Sequence, residues 1–90
     1  MNEKKYFSHE DIRELIYEAL QLPKNHEIVE QRPPSDVQGW DSLGWMKIIA
    51  AIERAANTTM PLDTFDDVIS VADFYKMVLA EINGQRDLIE

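Results

Sequence analysis

Apolar residues at Ile12, Leu15, Ile16, Ala19 and Leu20 recur at i, i+3, i+4, i+7 and i+8, which predicts an amphipathic helix over residues 8–21. Ser8 with Asp11 makes a capping-box pattern, with Asp in the place usually held by Glu or Gln. Glu10 and Asp11 also suit the positive end of a helix dipole, and Pro23 ends the pattern. From Leu22 to Asp41 the periodicity fails. Asn25, Pro33-Pro34, Ser35, Asp36 and Gly39 mark turns, while Ile28, Val29, Val37 and Trp40 stand as isolated apolar pegs. This is a long connection for a small domain, and the pegs predict a loop packed back onto the core, with one short turn near Ser35 to Gln38.

A second helix opens at Ser42 or just before it. Leu43, Met46, Ile49 and Ile52 keep one face apolar, and Ile48, Ala50, Ala51, Ala55 and Ala56 widen that face. Asn57-Thr58-Thr59 weakens the helix and Pro61 stops it. The acidic piece from Asp63 to Ile69 has room for a short helix of about two turns, with Asp63 as its candidate N-cap. Ser70 and Asp73 repeat the capping-box pattern ahead of the cleanest stripe, Val71, Phe74, Tyr75, Val78, Leu79 and Ile82. Asn83-Gly84 offers a C-terminal stop, leaving a loose, disordered tail over residues 85–90. No segment alternates as a strand would. The expected fold is all-α, one domain over residues 1–90, with three main helices and a short one before the last.

Charge narrows the partners. Lys and Arg total 9 against 17 Asp and Glu, a net charge of −8. Such a chain is repelled by phosphate backbones and anionic membrane surfaces, so no nucleic acid and no membrane insertion are expected, and charged partners should be basic. Cysteine is absent, which excludes disulfides, thiolate zinc sites and cysteine nucleophiles. The first residues, Met1-Asn2-Glu3-Lys4-Lys5, carry neither a signal peptide's apolar run nor a myristoylation glycine, so a cytoplasmic monomer is expected.

Most candidate chemistry dissolves on inspection. His9 and His26 have no metal-ligand spacing and read as ordinary surface histidines; no metal is expected. Asp66-Asp67 diverge by about 100° around a helix axis and read as a solvated acidic face. Asn57-Thr58-Thr59 matches a glycosylation acceptor, which means nothing without secretion. Gly39-Trp40-Asp41-Ser42-Leu43-Gly44 is the densest stretch. A nucleophile elbow would want Gly where Trp40 stands, a preceding strand and a base later in the chain, and none is present. No catalytic residue is expected, and the chain does not read as an enzyme. The stretch does set a serine hydroxyl at a helix N-terminus, whose free N–H groups would stabilise an attached phosphate. Asp41 can cap that helix, Leu43 is expected to anchor the turn inward, and Gly44 removes a side chain beside the hydroxyl.

With these pieces in order, the chain resembles the acyl carrier proteins, which bear 4′-phosphopantetheine on a serine. The resemblance rests on a first helix at 8–21, the long loop, Asp41-Ser42-Leu43, a helix to Asn57, Met60-Pro61, the acidic piece from Asp63 to Ile69, and Ser70-Val71 opening the last helix. It covers nearly the whole chain and is most specific from Gly39 to Val71. It implies a four-helix bundle of the acyl-carrier type, with covalent 4′-phosphopantetheine on Ser42 and with Asp41 and Leu43 helping a phosphopantetheinyl transferase recognise the serine. Acyl intermediates would be held as thioesters and passed among acyl-loading and acyl-processing enzymes, in fatty-acid-like, polyketide or other specialised biosynthesis. In the fatty-acid carriers of this family the second helix is strongly acidic and is the main docking face. Here Lys47 and Arg54 nearly cancel Glu53, which points to a specialised carrier. Trp45 and Met46, with Lys47 and Glu53, are the candidate docking residues. Trp45 reads equally as a partner hot spot and as packing against the long loop. Ala50, Ala51, Ala55 and Ala56 leave room for an acyl chain or merely let helices approach. Two other functions stay open: a carrier for an amino or hydroxy acid loaded by an adenylating ligase, and a helical adaptor without a prosthetic group.

Overall fold

The computed structural model describes residues 6–89, side chains excepted at 62, 64 and 85–89. Three α-helices carry the architecture: α1 (His9–Leu20), α2 (Ser42–Ala56) and α3 (Val71–Ile89). Two 3-10 turns, Pro34–Asp36 and Leu62–Phe65, lie in the connections, and no strand occurs among the described residues.

Each helix start is written in its sequence. Ser8 Oγ accepts the Asp11 N–H at 3.2 Å, and the Asp11 carboxylate accepts the Ser8 N–H at 2.8 Å, so the first capping box closes in both directions. The Ser70–Asp73 box closes likewise, at 3.2 and 3.1 Å. α1 and α2 stop on left-handed residues, Gln21 (φ 55°) and Asn57 (φ 54°).

The long loop is built into the core. Pro34, Val37 and Trp40 are buried, and the carbonyls of Arg32 and Glu30 accept the first two N–H groups of α3, from Val71 and Ala72, both at 2.9 Å. The Tyr17 hydroxyl donates to the His26 carbonyl, tying the loop to α1. Around these anchors Ile12 and Ile16 of α1 meet Ile48 and Ile52 of α2 and Phe74, Tyr75 and Val78 of α3, all almost inaccessible to solvent.

Four expectations are corrected. The acidic piece from Asp63 to Ile69 is not a second-rank helix but a single 3-10 turn, so the described bundle has three helices instead of four. Phe65, at the end of the turn, is buried and Val68, beyond it, is half-buried, while Asp63, Asp66 and Asp67 stay in water. Asp63 does not cap; Pro61 precedes the turn and no side-chain cap bond forms. On α2 the buried line is Gly44, Ile48, Ile49, Ile52 and Ala56, and Leu43 and Met46 are each 61% exposed, so Leu43 does not anchor the turn inward. At about 100° per residue, Leu43 falls on the side of the helix opposite Ile48 and Ile52. Finally, α3 does not stop at Asn83-Gly84 but runs on to Ile89. The Asn83 amide is spent elsewhere: its oxygen accepts the Phe7 N–H at 2.9 Å and its nitrogen donates to the Phe7 carbonyl at 3.1 Å, clasping the segment ahead of α1.

The α3 cap carries a pH dependence. N–H groups of Ser70 and Ile69 aimed at the Asp73 carboxylate hold its pKa below the ordinary 3.8. A depressed carboxylate stabilises the fold above its unfolded value, and that contribution is lost as pH falls through the lowered one. Asp73→Asn is therefore expected to lower stability at neutral pH and to flatten the acid limb of a stability–pH curve below pH 3.8; urea titrations at several pH values check it.

Candidate functional site

The turn that delivers the chain to α2 is closed by the Trp40 N–H donating to the Val37 carbonyl at 3.1 Å. Gly39 sits at φ +82°, a backbone conformation that glycine adopts without penalty. This aims the Gly39 carbonyl at α2, where Gly44 meets it. A Cβ on Gly44 would lie 2.1 Å from the Gly39 oxygen and 3.1 Å from Leu20 Cδ2. Gly44 is thus required by the approach of the loop, a reason more pressing than clearing space for a neighbouring hydroxyl.

Asp41 caps α2 as expected: its Oδ1 accepts the Gly44 N–H at 2.9 Å, and its carbonyl accepts the Trp45 N–H at 2.8 Å. Two of the four N–H groups at this helix end are thereby used. Those of Ser42 and Leu43 have no acceptor among the described residues, and neither does the Ser42 hydroxyl donate to one. Ser42 is exposed.

The other three serines differ. Ser8 and Ser70 each spend their hydroxyl as an N-cap. The first turn of α3 behind Ser70 is fully satisfied, with Val71 and Ala72 donating to the loop and Phe74 to the Ser70 carbonyl at 3.2 Å. Ser35 lies in a three-residue 3-10 turn. Among the four, Ser42 alone joins a free, exposed hydroxyl to an open end of a 15-residue helix, where the dipole and two bare N–H groups favour a phosphate ester. The residues present therefore fit a covalently attached phosphate group.

Trp45 is half-buried, its ring against Trp40 (5.2 Å between centroids), Phe74 (5.5 Å) and Phe65 (5.9 Å). Met46 and Lys47 are exposed, as is Arg54. Glu53 accepts the Met60 N–H at 2.8 Å and so fastens the chain leaving α2. His9 pairs with Glu30 at 3.0 Å and stacks on Tyr75, at 3.9 Å between rings, while the His26 ring meets the edge of Tyr17. Burial raises the Tyr75 pKa far above its ordinary value. No group of three metal-ligating side chains occurs among the described residues. None of their helices is long and apolar enough to cross a membrane. The aromatic cluster beside Ser42 was not singled out from sequence. Its trace was available in Trp40 and Trp45, which flank the serine, but pairing them with Phe65 and Phe74 needed the fold.

Compared with known proteins, the chain matches the model of one family, described as phosphopantetheine attachment site, over residues 10–78. None of the curated proteins and none of the solved structures matches it.

Proposed function

The chain belongs to the phosphopantetheine attachment-site family, which attaches 4′-phosphopantetheine covalently to a serine, and from that membership we propose that it is an acyl carrier protein whose arm is borne by Ser42. The observation that carries the assignment is the free Ser42 hydroxyl beside two bare N–H groups at the start of α2. When attached, the arm supplies a terminal thiol that holds an acyl group as a thioester. The protein supplies everything else. Asp41 and the Gly39–Gly44 contact fix the serine on a rigid helix end, the helix N-terminus stabilises the phosphate's charge, and the lack of any cysteine leaves no competing thiol.

Partners dock, in this reading, on the outward side of α2. Leu43, Met46, Lys47, Ala50 and Arg54 are all exposed there, directly beyond the serine. This face is apolar with two cations, unlike the acidic remainder of the chain, so the fitting partner patch is apolar with carboxylates at its rim. Asp41 and Leu43, flanking the serine in the open, are where the transferase grips. Glu53 and Trp45 act behind this face, one by tying down Met60 and the other by packing. Cargo drawn from fatty-acid-like, polyketide or other specialised acyl synthesis, in the cytoplasm, fits the same role.

Intact mass tests the reading. Incubation with coenzyme A, magnesium and a broad-specificity phosphopantetheinyl transferase is expected to add one phosphopantetheinyl group. No addition, with the transferase active on another carrier, would contradict it. The docking face is tested by reversing Lys47 and Arg54 together to Glu. We expect the reaction with the cognate loading enzyme to slow by about tenfold at low salt, because rim charges act mainly on association, while thermal stability falls only slightly, since Arg54 lies in the last turn of α2 where a cation suits the helix dipole. An unchanged rate would remove α2 as the docking face.

A further inference from the structure

A carrier of long aliphatic chains gains by sheltering them, because each methylene left in water adds to the cost of the loaded state. The obvious shelter is the interior behind the attachment residue, between α2 and α3. In this chain that space holds four aromatic rings. Trp40, two residues before Ser42, is 3% exposed and lies 5.1 Å from Phe74; Trp45, three residues after it, lies 5.5 Å from Phe74 and 5.9 Å from Phe65. Phe65 and Phe74 are themselves 5.4 Å apart, and Phe74 is wholly buried. The rings come from the loop, α2, the 3-10 turn and α3. The Trp40 indole N–H is buried with no acceptor among the described residues. Ile48 and Ile52 of α2 are likewise inaccessible to solvent. Among the described side chains, an alkyl chain entering here would have to displace rings 5.1–5.9 Å apart, several of them packed edge to face, and close-packed interiors resist such insertion.

We propose that this four-ring plug keeps the cargo outside the helices, so that the chain serves short or polar acyl groups and not long aliphatic ones. The proposal rests on the carrier reading above.

The test compares the wild-type chain bearing acetyl and octanoyl phosphopantetheine, with loading confirmed by mass. We expect the indole N–H resonances of Trp40 and Trp45 to be the same in both forms. Cleavage of both thioesters by hydroxylamine should proceed within about twofold of the matching free acyl-pantetheines, since an exposed thioester gains no protection. Indole shifts that appear only with octanoyl, or octanoyl cleavage slowed about tenfold against acetyl, would overturn the plug while leaving the carrier intact. A chain that takes no arm at all would overturn both. Trp45→Ala removes the ring nearest the surface and spares the fully buried Phe74. Octanoyl cleavage should slow in that variant, and equal rates in a protein that still melts cooperatively would overturn the role given to Trp45.

Discussion

Ser42→Ala abolishes loading and leaves the fold untouched: no phosphopantetheinyl group is added, while the urea midpoint stays that of the wild type. Ser42 is exposed at the first position of α2, its hydroxyl makes no bond that folding depends on, and alanine is at home there. The stability change should therefore stay within about 0.5 kcal/mol. Loss of loading is complete because the other serines cannot stand in. Ser8 and Ser70 have hydroxyls committed to their capping boxes, and Ser35 has no α-helix behind it. The same variant separates a carrier from an adaptor. An adaptor bundle would bind its partner as well with alanine at 42, whereas a carrier would lose its function entirely.

Gly44→Ala has the opposite character. The new methyl carbon would meet the Gly39 carbonyl oxygen at 2.1 Å, a backbone atom on a turn held by its own hydrogen bond. Nothing there can swing aside as a flexible side chain would. Either the loop lifts from α2 or the first turn of α2 unwinds, and both expose Trp40 and disturb the Asp41 cap. Overpacking of this kind costs about 3 kcal/mol, well beyond the gain of up to about 1 kcal/mol from replacing a helical glycine. Gly84 is the internal control. It is also helical, but nothing lies within 4 Å of its hypothetical Cβ, so Gly84→Ala should stabilise by about 0.5–1 kcal/mol. Opposite signs at the two glycines, read from urea midpoints, would place the cost in the Gly39 contact. A Gly44→Ala protein as stable as the wild type would remove that contact from the account. Loading of the variant should fall in parallel with its folded fraction, since Ser42 is presented by the same turn.

Much of this was legible in the sequence, for identifiable reasons. α1 and the opening of α3 were plain because capping chemistry and a 3.6-residue stripe point to the same boundaries, and both boxes close as the residues foretell. The family was legible from Asp41-Ser42-Leu43 in its wider order of elements, and the family match over residues 10–78 bears that out. What sequence could not give was tertiary. The α2 face was drawn through Leu43 and Met46 because a glycine has no side chain to declare itself buried; only the approach of Gly39 shows that Gly44 belongs to the core line. Asn83-Gly84 has the composition of a helix stop, yet Asn83 is recruited to Phe7, a residue 76 positions away, and the helix continues. The 3-10 turn was read as a helix because seven residues bearing acids and apolars fit two turns equally well on paper. The backbone forms only the Leu62–Phe65 3-10 turn before the chain opens out toward Ser70. The two unused N–H groups that set Ser42 apart were likewise invisible, because their counterparts on α3 are taken by loop carbonyls some forty residues earlier, at Glu30 and Arg32.

Attachment of the arm to Ser42 can be read from fragment-level mass spectrometry of the loaded wild-type chain. A single phosphopantetheinyl group is expected on the peptide containing Asp41-Ser42-Leu43, with fragment ions placing it on the Ser42 oxygen. An adduct on Ser8, Ser35 or Ser70, or one spread over several serines, would contradict it.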